Sequence, residues 1–480
     1  MKNAERVVLI LGNQLFPPAE LPGPEGTLVF MAEDLGLCTE HRHHQQKLVL
    51  FLASMRHYAG ELESRGYRVD YHYLDRASPP LLEKLATTLA ACGARELVHF
   101  EIVDRPFRQR FEECAKDWGV ALKTLPSPIM AEFYSRERRR LGILVDEQGR
   151  PEGGKWSFDT DNRKRLPRDI EPPALPRPRR SEHVDGVIEL VRREFPDHPG
   201  DARDFAWPVT RRQALHWLND FLKCRFADFG AYEDAISRRS DTVFHSLLSP
   251  ALNLGLVTPG EVVTRALNHA DTQGVPMNSL EGFVRQIIGW REFIRGIDDC
   301  YGEQQAAGNF FGHQRELAAT WWTAETGMPI LDDAIAGALR HGWSHHIQRL
   351  MVIANIMNLA GIHPHAAYRW FMEMYVDSAD WVMGPNVYGM GLFSDGGLFA
   401  TKPYICGSNY LLKMSDYSRG PWCDELDGLY WGFVERHRDF FASNPRMAMM
   451  VRALDKLSPE RRKKITAAAQ DFITRNTTGE

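Results

Sequence analysis

The sequence contains no C-x-x-C pair, although it has 7 cysteines. Cysteines paired at that spacing are typical of metal sites and redox motifs, and regularly spaced sets are typical of disulfide frameworks. Because neither pattern is present, we expect no metal site, and most of the thiols should be buried and unreactive. They are Cys38, Cys92, Cys114, Cys224, Cys300, Cys406 and Cys423.

Long apolar runs and a strong charge of one sign are also missing. Met1–Gly12 has no apolar stretch long enough for a signal peptide or a membrane span, so we expect a cytoplasmic protein with no membrane partner. The formal net charge is -5, so nucleic acid would have to bind a local basic face rather than the whole surface. No strand-like segment is followed by G-x-G-x-x-G, which argues against a nicotinamide dinucleotide site.

What the chain does have is size and an ordinary globular composition. Its 480 residues exceed what one hydrophobic core usually supports, so two or three domains are expected. Hydrophobic residues make up 44% and charged residues 25%, as in folded proteins of average composition. A chain of this kind can enclose a large cofactor.

Three regions differ in their patterning. Residues 1–130 alternate short apolar runs with helix-like stretches, which predicts a Rossmann-like α/β domain with a parallel sheet. Residues 131–204 are rich in proline and arginine and predict an interdomain linker. Helical periodicity dominates residues 205–480 and predicts a large all-α domain.

Three motifs in the helical region carry polar groups where a core would be apolar. His245–Gly255 places hydroxyls and free amides at a predicted helix start, which suits a pyrophosphate, although a simple helix cap fits equally well. Glu281–Phe293 interleaves polar residues with an aromatic stripe, and these would be costly to bury without a polar ligand.

The third motif, Trp343–Met351, holds adjacent histidines, His345 and His346, before Arg349. One interpretation is a pair of buried core histidines whose ring nitrogens have hydrogen-bond partners. Metal ligation is less favoured because adjacent residues diverge on a helix. Histidine also exchanges protons near neutral pH, which is typical of a catalytic acid or base.

The colinear order of these motifs, with Tyr375–Val387 and Phe393–Gly397 after them, resembles the cryptochrome/photolyase superfamily. The closest resemblance is to its prokaryotic (6-4) photolyase, or iron–sulfur bacterial cryptochrome-photolyase, branch, also described as deoxyribodipyrimidine photolyase-related. Matching segments run from Leu9–Leu15 to Leu429–Trp431, nearly the whole chain.

The resemblance implies an FAD site and a lesion pocket. His345 and His346 would supply a proton to the lesion, and two tyrosines, Tyr404 and Tyr410, would face it. Met383 stands where relatives often have a glutamate contact to flavin. The residues matching FAD contacts are Ser246, Leu247, Leu248, Ser249, Gln286, Trp290, Arg291, Arg349, Asp377 and Asn386.

Some residues at the electron-transfer and antenna positions differ from those usual in the family that this chain resembles. Trp370 and Trp322 match electron-transfer positions, although both could be plain core aromatics. Phe371 replaces a common tyrosine and has no phenolic proton to lose. A ribityl-lumazine antenna would bind near Glu33 and Glu101, but a usual glycine nearby is replaced by valine. The antenna pocket is therefore expected to be empty, remodelled or filled by another pigment.

DNA contacts and the iron–sulfur cluster are also altered. Lys47, Lys402 and the Arg136–Arg140 run are candidate phosphate anchors, although a charge run is more often a solvated face. A cubane cluster needs four protein ligands, yet Ile330 stands at the first cysteine position and Ser418–Pro421 lacks the expected pair. We therefore predict that the protein has no iron–sulfur cluster.

The resemblance implies a carbon–carbon lyase that uses blue light and FAD to repair pyrimidine (6-4) photoproducts in UV-damaged DNA. The alternative is a cryptochrome-like blue-light photoreceptor with little or no repair, which the substitutions at Phe371 and beside Lys47 keep open. A dark flavin oxidoreductase is disfavoured by the missing nicotinamide motif.

Overall fold

The computed structural model describes residues 4–125, 134–443, 445 and 447–479. The predicted domain boundary at residue 130 lies outside the described residues. Within the described chain, no helix combines the length and apolarity needed to cross a bilayer.

The N-terminal region is built on a five-stranded parallel sheet of order β3-β2-β1-β4-β5. Every residue of β2 is buried, as expected for a strand covered on both faces. The strand order reverses at β1, between β2 and β4, which opens a crevice at the carboxyl ends of these strands. The strands are β1 (Arg6–Leu9), β2 (Thr27–Ala32), β3 (Arg68–His72), β4 (Glu96–Phe100) and β5 (Ala121–Leu125).

Helices connect these strands, and the alternation confirms the predicted α/β class. Neither α4 nor β5 stands out in the sequence, because α4 buries only Phe107, Phe111 and Ala115 among many charges and β5 lies at the edge of the sheet. The helices are α1 (Leu35–Thr39), α2 (Gln45–Ser64), α3 (Leu81–Cys92) and α4 (Arg105–Ala115).

The region predicted as a linker contains helices α5 (Tyr134–Leu141) and α6 (Glu182–Glu194). Ser181 caps α6 by accepting a hydrogen bond from the Val184 amide. The helix buries Val184, Val187, Ile188 and Val191 and packs against α2. This segment is thus part of the folded core, and its helical period is hidden by the surrounding prolines and arginines.

The C-terminal region is helical, as predicted, apart from one short antiparallel pair, β6 (Glu316–Leu317) with β7 (Thr477–Thr478). The first half of its helices are α7 (Arg211–Cys224), α8 (Phe226–Phe229), α9 (Ser249–Asn253), α10 (Pro259–Gln273), α11 (Met277–Val284), α12 (Arg291–Ala306), α13 (Thr320–Thr323) and α14 (Pro329–His341). The remainder are α15 (Asn355–Ala360), α16 (Pro364–Met374), α17 (Asp380–Gly384), α18 (Ser408–Met414), α19 (Trp422–Arg436), α20 (Arg438–Ser443), α21 (Ala448–Asp455) and α22 (Pro459–Asn476).

Three π-helical segments interrupt these helices: Arg285–Trp290, Gln348–Ala354 and Pro385–Gly391. Short π segments inside α-helices are often found at functional sites. One continuous hydrophobic cluster joins sheet residues such as Val8 and Val29 to helical residues such as Leu248 and Phe283. The two regions therefore share a core, and the π segments lie in the helical part of the molecule.

Candidate functional site

A cavity of about 300 Å³ lies within the helical region, and all three π-helical segments contribute to its wall. Because a π turn widens the helix, these segments bring side chains to the wall that a regular helix would turn elsewhere. All ten residues predicted to contact FAD line this one cavity: Ser246, Leu247, Leu248, Ser249, Gln286, Trp290, Arg291, Arg349, Asp377 and Asn386.

Asp377 is the centre of a hydrogen-bonded charge network on the wall. Arg349 donates two hydrogen bonds to its carboxylate, at 2.9 and 3.1 Å, and Ser249 Oγ donates a third at 2.6 Å. The Asp377 main-chain oxygen accepts from Asn253 Nδ2 at 2.8 Å, and Asn253 Oδ1 accepts from Arg291 at 2.7 Å. This network carries two arginine cations and one carboxylate.

Arg291 is the second cation of this network, and the Glu292 and Asp377 carboxylates lie close enough to influence its pKa. Its guanidinium lies 4.7 Å from the Trp381 ring centroid, and its Nε is buried with no hydrogen-bond partner. Burial lowers its pKa to about 10. Its guanidinium donates to the amide oxygen of Asn253 and has donors left for an anionic group such as the pyrophosphate of FAD.

The predicted pyrophosphate segment forms a tight turn followed by a short helix. Leu247 has a positive φ of 54°, and α9 then runs for only 5 residues. So short a helix contributes little dipole. Its Ser249 hydroxyl is already bonded to Asp377, so charge neutralisation at this wall depends mainly on Arg291 and Arg349.

The two adjacent histidines occupy different environments. His346 faces the cavity, whereas His345 is fully buried behind it and does not line it. The His345 ring stacks on His245, with centroids 5.0 Å apart and planes 9° apart. Neither ring nitrogen of His345 has a hydrogen-bond partner among the described residues.

All three imidazoles are held neutral at pH 7 by their surroundings. Desolvation lowers the pKa of His346 to about 4, and the nearby Arg349 cation lowers it further in the same direction. Desolvation also lowers the pKa of His245 to about 4 and that of His345 well below its usual value. The His346 side chain is nevertheless exposed to the cavity, so negative charge that enters there and offsets Arg349 would raise its pKa.

The predicted electron-transfer residues lie outward from one wall. Phe371 lines the cavity, and Trp370 packs against it with ring centroids 5.3 Å apart. The Trp370 indole donates to the main-chain oxygen of Trp321 at 2.9 Å, and their rings are 6.5 Å apart. Trp322 instead donates to Glu373 at 3.1 Å.

The residues predicted to face the lesion or to bind DNA differ in their exposure to solvent. Tyr404 and Lys402 are exposed near the carboxyl end of the cavity-forming region. Tyr410 is partly buried, and after burial Asp234 raises its pKa most strongly, so it lies near an acidic part of the cavity wall. Neither tyrosine lines the cavity itself.

The prediction that Lys47 binds DNA phosphates does not fit its placement. Its side chain is buried, and its ammonium donates to Ser378 Oγ at 2.9 Å and contacts His43 Nδ1 at 3.2 Å. Desolvation lowers its pKa to about 8. In the Arg136–Arg140 run, Arg138 is likewise turned inward, where it donates to the Trp156 main-chain oxygen, and the Arg136 side chain lies outside the described residues.

The two predicted antenna residues follow β2 and β4, on either side of the β1 switch point. Glu33 is buried, and its carboxylate accepts four hydrogen bonds, two from Arg56 and one each from Tyr71 and the Leu74 amide. Glu101 is partly exposed and pairs with Arg295 at 2.7 Å. A pigment could contact Glu101 directly but would have to displace a protein donor from Glu33.

At the position predicted to have lost its cluster ligand, Ile330 is buried in the apolar core of the helical region. Cys423 is buried nearby in the same cluster, beside Trp422. Across the part of the chain that the structure describes, no three histidine, cysteine or acidic side chains are grouped to hold a metal ion.

Sequence reasoning missed two acidic residues of the wall, Glu233 and Asp234. Burial raises the pKa of Glu233 to about 7 and that of Asp234 to about 6. Glu233 and Asp234 precede His245 by 12 and 11 positions, in a segment with no motif of its own. The tertiary structure brings Glu233 into contact with Gln286 and places Asp234 on the same wall.

Comparisons with known proteins agree with this architecture. The family described as "Deoxyribodipyrimidine photo-lyase-related protein" matches residues 8–129 and 123–207, and "FAD binding domain of DNA photolyase" matches residues 284–405. A (6-4) photolyase from Agrobacterium fabrum is 34% identical over 512 residues, covering 98% of this chain and 99% of the relative.

Two solved structures share the fold at lower identity. A bacterial class III photolyase from Agrobacterium tumefaciens aligns with a TM-score of 0.58 at 18% identity, covering 99% of this chain and 98% of that one. A cryptochrome from Synechocystis aligns with a TM-score of 0.59 at 14% identity, covering 99% and 100%. The sequence matches and the fold together show that the chain belongs to the photolyase/cryptochrome family and contains its FAD-binding domain.

Proposed function

We propose that the protein is a light-driven, FAD-dependent lyase that repairs pyrimidine (6-4) photoproducts in UV-damaged DNA. The observation that carries this proposal is the convergence of the ten predicted FAD residues and His346 on one cavity. The (6-4) photolyase of Agrobacterium fabrum, which matches nearly the whole chain, supports the same reaction.

The predicted FAD residues would make two kinds of contact, charged contacts to the pyrophosphate and contacts to the flavin ring system. Arg291 and Arg349 would hold the pyrophosphate, because they are the cations of the wall. Asp377 would orient Arg349, and Asn386 and Trp290 would contact the ring system. When bound, reduced FAD supplies the electron for repair after it absorbs blue light.

His346 would hold the proton that the lesion needs. Desolvation and the Arg349 cation lower its pKa to about 4, so the imidazole is neutral at pH 7. Entry of the FAD pyrophosphate and the DNA phosphates would add negative charge near Arg349 and raise that pKa. His346 would thus become a proton donor only in the loaded site, while His345 would position it from behind.

The DNA would approach from the side on which Tyr404, Tyr410 and Lys402 lie. A damaged base has to leave the duplex to reach a buried site, which requires a pocket and phosphate anchors. Lys402 is an exposed cation among the predicted anchors, and Arg139 and Arg140 are exposed as well. An antenna pigment would contact Glu101, and the protein would function without an iron–sulfur cluster.

The test is to reduce the FAD-loaded protein, illuminate it with DNA carrying one defined (6-4) photoproduct, and measure restored bases. Restoration that requires both light and reduction is the expected result. The same protein tested on a cyclobutane dimer gives the lesion preference. Normal flavin loading and photoreduction with no restoration of either lesion would refute the repair function and favour the photoreceptor alternative.

A further inference from the structure

Glu233 is a carboxyl group on the cavity wall that the proposed reaction leaves without a role. Only 13% of its side chain is exposed. Its Oε1 accepts from Gln286 Nε2 at 2.6 Å, and its Oε2 accepts from Asn162 Nδ2 at 2.8 Å. Both oxygens therefore face amide groups, and one of those amides belongs to a predicted FAD or lesion contact.

The contact determines which way the Gln286 amide points. An ionised carboxylate can only accept hydrogen bonds, so Gln286 has to present its NH₂ group to Glu233. Its carbonyl oxygen, Oε1, is then left for a ligand, because Gln286 lines the cavity. Among the residues that the structure describes, no side chain or main-chain group donates a hydrogen bond to this oxygen.

We propose that Glu233 is a positioning residue that fixes the Gln286 amide, so that this point of the wall selects a ligand group with an N–H or O–H donor. The identity of that ligand rests on the proposed function. Two sources fit the chemistry: an N–H of the flavin nucleotide, or an N–H or hydroxyl of a flipped-out damaged pyrimidine. A ligand that offers only an acceptor here would leave two oxygens opposed.

Protonation of Glu233 would reverse this selectivity. Burial raises its pKa to about 7, Arg285 and Asn162 act in the opposite direction, and Asp234 and Asp159 add to the rise. A protonated carboxyl keeps one acceptor oxygen and gains one donor, so one of the two amides has to turn. Asn162 Oδ1 accepts a further hydrogen bond from Asn278 at 3.4 Å, so we assign the turn to Gln286, which would then present its NH₂ group to the cavity.

The experiment measures two affinities at pH 6 and pH 8, in the dark. One is the affinity of the FAD-loaded protein for DNA carrying a (6-4) photoproduct, divided by that for undamaged DNA of the same sequence. The other is the affinity of the apoprotein for FAD. The variants are Glu233→Gln, which cannot titrate in this range, and Asp234→Asn, which removes the neighbouring carboxyl without touching Gln286.

We expect one of the two quantities to change about tenfold between the two pH values, the size expected when one buried hydrogen bond is replaced by an opposed pair. Glu233→Gln should abolish the change, whereas Asp234→Asn should keep a smaller change, because losing the Asp234 charge lowers the pKa of Glu233 without removing its contact with Gln286. A change in the lesion ratio assigns Gln286 to the base, and a change in FAD affinity assigns it to the flavin.

The proposal is overturned if the parent protein shows no pH dependence in either quantity, or if Glu233→Gln retains the parent's dependence. A parent protein that never prefers damaged DNA, yet shows a pH-dependent FAD affinity that Glu233→Gln abolishes, contradicts the proposed repair function while supporting the role of Glu233. The two failures are thus distinguishable.

Discussion

Replacing Arg349 with methionine should both destabilise the apoprotein and weaken FAD binding. Arg349 and Asp377 form a two-point ion pair with side-chain exposures of 15% and 6%. Removing one partner of a buried pair typically costs about 3–5 kcal/mol, because the other charge stays buried without compensation. In Arg349→Met, Asp377 would retain only the Ser249 hydroxyl as a side-chain donor to its carboxylate.

A double-mutant cycle separates this pair from the rest of the wall. Asp377→Leu alone should cost a similar amount, whereas Arg349→Met with Asp377→Leu should cost less than the sum, by about 2–3 kcal/mol. Urea unfolding of the apoproteins, followed by tryptophan fluorescence, gives these values. Simple additivity of the two single variants would refute the coupling derived from the structure.

FAD affinity should respond with a different pattern. Arg349→Met removes a cation from the wall and should weaken FAD binding about tenfold or more. Asp377→Leu removes a negative charge from the same network, so it should weaken FAD binding less than Arg349→Met does. Titration of apoprotein with FAD measures both constants. A larger loss in Asp377→Leu would mean that Asp377, rather than Arg349, is the main contact to the nucleotide.

Four further outcomes follow from the site and the core. His346→Ala should abolish lesion repair while the absorbance of bound FAD stays nearly intact, and equal repair by variant and parent would remove His346 from the mechanism. Trp370→Phe should slow flavin photoreduction by an external reductant. Trp321→Phe should slow it more than Trp322→Phe, because the Trp321 main-chain oxygen accepts a hydrogen bond from Trp370. Equal rates for all three variants and the parent would exclude electron transfer through Trp370 and Trp321. Iron and sulfide assays on protein purified without oxygen should find neither at stoichiometric amounts, and a cluster absorbance that survives flavin removal would contradict this. Burial lowers the pKa of His44 from 6.5 to about 4. Its neutral form therefore contributes about 3 kcal/mol to the free energy of unfolding above about pH 6.5, and this contribution is lost as the pH falls toward 4. In urea unfolding, the free energy of unfolding of His44→Gln should fall less between pH 6.5 and pH 4 than that of the parent.

Linear motifs were sufficient to predict ten residues that line the cavity, because these residues come from four short segments with recognisable local patterns. Ser246 and Arg349, for example, belong to separate motifs that the fold brings to one cavity. Glu233 could not be predicted in this way. Its role depends on a contact with Gln286 across 53 positions of chain, and nothing in its own neighbourhood marks it.

Lys47 shows a different limit of sequence reasoning. A lysine near the start of an amphipathic helix is usually solvated, but most of α2 is covered by α6 and by the helical region. Lys47 itself is buried against Ser378, which is 331 positions away in the helical region. The fold class was predictable from the periodicity of apolar residues. Which polar residues of a helix become buried depends on the elements packed against it, and periodicity does not identify these.

The three π-helical segments make the cavity sensitive to single-residue changes in chain length. A π turn holds one residue more than an α turn, so removing one residue from it would restore the regular α-helix and withdraw from the wall a side chain that the wider turn presents. Applied at Gln348–Ala354, such a deletion would leave His346 in place and change which of the later residues of that segment line the cavity. Insertions and deletions should therefore be tolerated in the surface loops of this protein but not in the three π-helical segments. There, one residue more or less changes which side chains line the cavity.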